Sequence, residues 1–379
     1  MKKQLSYILT CFVFSLSVSG CSDTLVQSET EDYSMPITFS ATAMSSSINS
    51  KLQTRVLGDA FPNANIAIVA AKTTASSTED TWNWESTNLE LKHKPITVNN
   101  ENANGKYTIS NTQVYWPFNQ DDYLAFTAYS PATHATIKKK GDTGAPNNLK
   151  ATELVLEMNN NSGFPDLLYL KKEDSKTTNA VGPYNKDQGA TAVELGEFQH
   201  AMAKVKLKVM CVDYNNPTKE SDYSKINMTI TSLSIGTNVT KGVFDFLTPS
   251  WTLTTTASQA DAPLLYSLID SDTKMNKAYE STGSYYLFPS TIPDGVNVAE
   301  NSEIKITLDD GAGKHSYIQK ISKFTTNGST PVTLVQGKIT ELTIKIKVMG
   351  IPDGGTGGII LLGTLTDWID KGNSTIPIE

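Results

Sequence analysis

An all-β fold, with few or no helices, is predicted by three features of this 379-residue chain. Apolar and polar residues alternate with period two in several stretches. Helical periodicity is nearly absent, and Thr, Ser, Asn and Gly fill the gaps between apolar runs. Short strands that are apolar on one face must bury that face, and sheets packed as β-sandwiches do so with polar turns left outside.

The chain opens with "MKKQLSYILTCFVFSLSVSGC", basic at Lys2 and Lys3, then apolar, then small residues ending at Gly20-Cys21. The apolar run is short for a bilayer span, and its flanks are those of an export signal. A cysteine directly after small residues is the lipobox pattern. Residues 1–20 therefore read as a lipoprotein signal peptide, and Cys21 as the site of acylation by palmitate-type chains that anchor the precursor to the cell outer membrane. An ordinary signal peptide cut near Gly20 is the alternative. No other segment has 18 consecutive apolar residues.

Cys11 leaves with the signal, so the exported chain keeps Cys21 and Cys211; with Cys21 acylated no intramolecular disulfide can form. Stability must come from buried cores, and the remaining length suits two domains of ordinary size. A formal net charge of −7 argues against nucleic acid as a partner.

Along the chain, "PITFSATA" (36–43) sets Ile37, Phe39, Ala41 and Ala43 against Thr38, Ser40 and Thr42, a strand able to line a core with one face. "AMAKVKLKVM" (201–210) alternates Val205, Leu207 and Val209 with Lys204, Lys206 and Lys208. "SEIKITLDD" does so with Ile304, Ile306 and Leu308, and "ELTIKIKVM" with Leu342, Ile344, Ile346 and Val348. A one-residue slip would bury the lysines, so the register of these strands is firmly specified. The loop-rich stretch 171–192 marks the end of a first domain (56–190) or the connection to a second (191–349). "GIPDGGTGG" (350–358) then separates a tail, 350–379, whose apolar residues Ile359, Ile360, Leu361, Leu362, Leu365, Trp368 and Ile369 need burial. That tail either folds back on its own domain or goes elsewhere.

Taken in order, "PITFSATA", "TRVLGDAF" (54–61), "VYWPFNQDDYLAFTAYSP" (114–131), "PDLLYL" (165–170), "FQHAMAKVKLKV" (198–209), "KGVFDF" (241–246), "YYLFPS" (285–290) and "TLTDWIDKG" (364–372) resemble the fimbrillin family. These are the FimA and Mfa-like subunits of type V pili in gut and oral Gram-negative anaerobes. The resemblance implies two tandem transthyretin-like β-sandwiches, lipoprotein export, and cleavage after an arginine beyond the first strand. It also implies polymerisation with other fimbrial subunits by strand exchange, on a cell-surface fimbrium that supports adhesion to a host or microbial ligand.

The chain carries 31 lysines and one arginine, Arg55. A trypsin-like protease selective for the planar guanidinium would ignore the lysines and cut only between Arg55 and Val56. A composition biased to lysine, with one arginine left by chance, is the other reading. Such a cut frees residues 21–55, a propeptide holding the lipidated Cys21 and the first strand. Burying Ile37 and Phe39 is worth roughly 1.5–3 kcal/mol each, so the vacated groove would be costly and adhesive. The hinged tail is the candidate donor strand for the next subunit, in a head-to-tail filament. A tail of this kind suits a stalk subunit, although a tip role stays open.

Nothing suggests an enzyme or a bound cofactor. His93, His134, His200 and His315 are scattered without metal-ligand spacing. Cys211 lacks a thiol-activating motif, and "DDGAGKHS" (309–316) reads as a hairpin turn rather than a phosphate loop. Trp82 and Trp84 in "TWNWES" share a face if they lie on a strand. They would then serve either as core aromatics or as sugar-stacking residues of a glycan-binding surface lipoprotein that does not polymerise.

Overall fold

The alternation read from the sequence becomes burial in the structure, a computed structural model. It describes residues 35–42, 65–101, 106–109, 114–158, 163–171, 176–187, 192–254, 264–290, 296–348 and 356–367, apart from 118, 120, 270, 284, 327 and 328. Ser302–Asp309 alternates strictly, with Ile304, Ile306 and Leu308 inside. Lys338–Val348 buries Leu342, Ile344 and Ile346, while Val348 is half-buried at its end. Ala203–Asp213 buries Val205, Leu207, Val209 and Cys211 and exposes Lys206. Lys204 departs from the expected solvated face and is buried, where the strand is flanked by Tyr286 on one side and Ile339 on the other. Helix among the described residues is confined to three-residue 3-10 turns at Glu79–Thr81, Tyr223–Lys225 and Ile321–Lys323.

Four sheets organise the strands of the described residues. The largest runs Leu89–Thr97, Asn65–Thr73, Tyr123–Ser130, Leu168–Leu170, Val193–His200, Phe39–Thr42, Lys106–Ile109, Asn99–Glu101, with Val181–Tyr184 branching onto Tyr123–Ser130. A second is built on Ala203–Asp213, which pairs in parallel with Lys338–Val348. That strand pairs antiparallel with Thr356–Asp367. A third centres on Thr229–Thr237 and Ser302–Asp309, with Lys314–Lys320 at its edge.

The fourth sheet joins sequence-distant segments: Lys241–Asp245 pairs with Ser250–Thr254 on one side and Glu153–Glu157 on the other. It therefore draws on both halves of the chain. Val193–His200, expected to open the second domain, pairs instead with Phe39–Thr42 and Leu168–Leu170 of the first half. The strand change between halves falls at Ala201-Met202, both fully buried. An aromatic seam ties this junction together. Tyr169 meets Phe244 with centroids 5.2 Å apart, Phe244 meets Trp251 at 4.7 Å, and Trp251 meets Phe288 at 4.9 Å. The Trp251 indole N–H donates to the Ala201 carbonyl at 2.9 Å. From Pro36 onward the described residues accordingly form one compact unit.

Candidate functional site

The first strand, Phe39–Thr42, is an internal strand of the largest sheet. It lies parallel to Val193–His200, with Phe39 opposite Val193 and Ser40 opposite Glu194, and antiparallel to Lys106–Ile109, with Phe39 opposite Ile109. The pairing begins before the strand proper: the Ile37 N–H donates to the Val114 carbonyl at 2.7 Å, and the Val193 N–H to the Thr38 carbonyl at 2.8 Å. Ile37, Phe39 and Ala41 are buried to 1 %, 0 % and 1 % exposure, and Thr38 and Ser40 between them are half-buried. The expected core face is thus present through Ala41; Ala43 lies outside the described residues.

Residues that line this seat come from four segments. The Phe39 ring stands edge-on to Phe126 at 5.4 Å and 77°, and Phe126 in turn to Trp116 at 6.0 Å and 86°. Ile109, Val114, Val193 and Leu195 are buried with them. None of these is marked as a seat by its local pattern. Gly196 is the one with a local signal, since it interrupts the alternation of "VELGEF". There the register skips Leu195, so that Ala41 stands opposite Gly196, whose φ of +87° favours glycine.

Consider the slot this strand fills. Its departure would leave two backbone edges facing each other, one from Val193–His200 and one from Lys106–Ile109, above an apolar floor. A slot with edges on both sides accepts an extended strand and little else.

The tail strand, Thr356–Asp367, pairs along its length with Lys338–Val348, and on its other side Leu362 stands opposite Thr325. Ile359, Leu361, Gly363 and Leu365 stand opposite Ile346, Ile344, Leu342 and Thr340, and Ile360 and Leu362 opposite Lys345 and Thr343. In this monomer the tail is thus part of its own sheet, the fold-back arrangement. Trp368 and Ile369 lie outside the described residues, as do Cys21, Arg55 and Val56.

Trp82 and Trp84 lie in an irregular segment rather than on a strand. Trp82 is buried against Ala125, Ala180 and Leu247, its indole N–H donating to Ser77 Oγ at 3.1 Å, and Trp84 is half-buried edge-on to it at 6.3 Å. Trp82 is thus a core residue, and Trp84 packs partly buried against the same core. Glu79 secures the same region: its Oε2 accepts from the backbone N–H groups of Thr177 and Thr178 at 2.8 and 3.1 Å, and Lys176 pairs with Oε1 at 3.1 Å. Burial pushes that carboxyl up, but these donors outweigh it and hold it below the usual range.

The histidines and Cys211 form no common site among the described residues. His93 is buried beside Tyr129, whose hydroxyl is 3.2 Å from its Nδ1, and burial pushes the imidazole down to about 4. His200 Nδ1 meets Asp166 Oδ1 at 2.8 Å in the core, and His315 is at the surface 3.4 Å from Asp310. Burial pushes the Cys211 thiol up to about 12, the chemistry of a packing residue rather than a nucleophile. No cluster of His, Cys, Asp and Glu able to hold a metal occurs among the described residues, and none of their helices is long and apolar enough to cross a membrane.

Comparison with known proteins bears on these features. The chain is similar to solved structures of a candidate cell adhesion protein from Bacteroides uniformis (16 % identity, TM-score 0.48, covering 88 % of this chain and 98 % of that one) and another from Parabacteroides distasonis (11 %, 0.46, 88 % and 96 %). A third is the fimbrial anchor protein Mfa2 from Porphyromonas gingivalis (10 %, 0.35, 88 % and 99 %). No curated protein matches. The sequence profile of the family described as Fimbrillin-like matches residues 54–368, most of the length, and the chain belongs to that family.

Proposed function

We propose that this chain is a structural subunit of a cell-surface fimbria, built as two transthyretin-like sandwiches, that supports adhesion. It is exported as a lipoprotein through Cys21, cut between Arg55 and Val56 by an arginine-specific trypsin-like protease, and polymerised by donor-strand exchange in a stalk. Membership of the fimbrillin-like family supports the fimbrial role. The observation that carries the assembly step is the internal position of Phe39–Thr42, buried on its core face and flanked on both sides.

Physically, the cut changes a tether rather than a contact. While residues 43–55 connect the first strand to its sheet, a strand that leaves returns at high effective concentration. Once Arg55–Val56 is hydrolysed, the same strand leaves with the lipid anchor, and its slot opens to a strand supplied by a neighbour. A single arginine among 31 lysines makes the step addressable at one peptide bond. Head-to-tail donation does not close on itself, so it extends a filament.

Arg55→Ala is the test. The variant should stay lipid-anchored and monomeric, with negative-stain microscopy of surface material showing few or no filaments; filaments of normal length from it would refute the gating step. Burial of Trp82 weighs against the alternative of a glycan-binding lipoprotein that does not polymerise.

A further inference from the structure

We infer that the tail of a second copy of this chain enters the first-strand slot in the same direction as Phe39–Thr42 and in one register, with Ile359, Leu361 and Gly363 taking the positions of Ile37, Phe39 and Ala41. The inference rests on the donor-strand reading above and assigns its direction and register.

The slot has a size sequence. At alternate positions it holds a large aliphatic residue, a large aromatic one packed edge-on to Phe126, and then the methyl of Ala41, fully buried opposite the positive-φ Gly196. A donor must therefore read large, large, small at every second residue. Within Thr356–Asp367 and in the forward direction, only two frames do so: Ile359, Leu361, Gly363 and Ile360, Leu362, Thr364. The second puts a hydroxyl where Ala41 has only a methyl, at 1 % exposure, and an unpaired polar group there is costly. The first adds no polar atom to the core.

Home pairing selects the same frame. Ile359, Leu361 and Gly363 are the residues that stand opposite the buried Ile346, Ile344 and Leu342, whereas Ile360 and Leu362 stand opposite Lys345 and Thr343. The set that stands opposite buried residues of the neighbouring strand is the set whose sizes match the slot. Direction follows from the edges: a forward donor reproduces the parallel ladder on Val193–His200 and the antiparallel ladder on Lys106–Ile109. A reversed one exchanges the two patterns, whose hydrogen bonds are differently spaced and slanted.

Disulfide mapping reads the register. Ser40 stands opposite Glu194, both off the buried face, and in the inferred frame Leu362 occupies the Ser40 position. Full-length Glu194→Cys chains carrying Leu362→Cys, Gly363→Cys, Ile359→Cys or Gly358→Cys would be cut with an arginine-specific protease, allowed to assemble and oxidised. The uncut Ser40→Cys/Glu194→Cys chain, bridged within one molecule, calibrates the geometry. The expected result is a ladder of covalent multimers, lost on reduction, from Leu362→Cys alone. A ladder from Gly363→Cys marks the other forward frame, and one from Gly358→Cys or Ile359→Cys marks a reversed strand; each overturns the register and leaves donor exchange standing. Filaments without a ladder from any of the four overturn the tail as donor. Absence of polymer from the cut parent chain overturns donor exchange and the register together.

Discussion

Phe39→Ala tests the separability of the first strand before any assembly is involved. The ring is fully buried and edge-on to Phe126 at 5.4 Å. Truncating a buried Phe to Ala costs about 3–5 kcal/mol, of which the aromatic pair accounts for about 0.5–1.5 kcal/mol. If the strand can leave its slot while the rest of the molecule stays folded, the whole cost falls on that local opening. At about 1.4 kcal/mol per factor of ten, opening should become roughly two to three and a half orders of magnitude more frequent. Amide hydrogen exchange of the uncut chain measures it. Protection should fall by that amount at Ile37–Thr42 and at Val193, whose N–H donates to Thr38, while Thr229–Thr237 in a different sheet keeps its own. A change below tenfold in the first strand would refute the packing argument. An equal loss in Thr229–Thr237 would refute separability, because the strand would then be opening only with the whole fold.

Two further expectations follow from the described residues. Gly196→Val should weaken docking of the first strand by about 1–3 kcal/mol, since a β-branched residue must adopt φ near +87° opposite Ala41; urea titration that finds no loss would contradict the bulge geometry. His93 imposes a pH dependence. Its folded-state value, pushed down to about 4 by burial, lies below the unfolded value near 6.5, so the neutral imidazole contributes fully above about 6.5 and that contribution is lost as pH falls toward 4. Stability should drop by at most about 1.4 kcal/mol per pH unit across that window from this group, and His93→Gln should flatten the slope. An unchanged slope would mean that His93 does not titrate on unfolding.

The parts of the fold visible in the sequence were those whose physics is local. Alternation in Ala203–Asp213, Ser302–Asp309 and Lys338–Val348 encodes which side is buried, and the structure follows it except near strand ends, where Lys204 is buried and Val348 only half-buried. Long-range pairing has no such local trace. Nothing in "KGVFDF" says that it will pair with Glu153–Glu157, and Gly196 breaks the period of Val193–His200, which obscures its place beside the first strand. The same limit applies to the candidate site. Ile37, Phe39 and Ala41 were legible as one face of a strand, but the floor beneath them, Phe126, Trp116 and Ile109, is assembled from segments far along the chain. Trp82 and Trp84 show the converse error: a shared face was conditional on a strand that does not form there, and the irregular segment tucks one ring into the core and leaves the other half-buried.

The most direct measurement is the N-terminal sequence, with intact mass, of polymeric material sheared from the cell surface. A single N-terminus at Val56 is expected, with no first strand from the same chain in the assembled subunit. Polymers whose subunits begin at Cys21, or that keep residues 36–43 covalently attached, would contradict it.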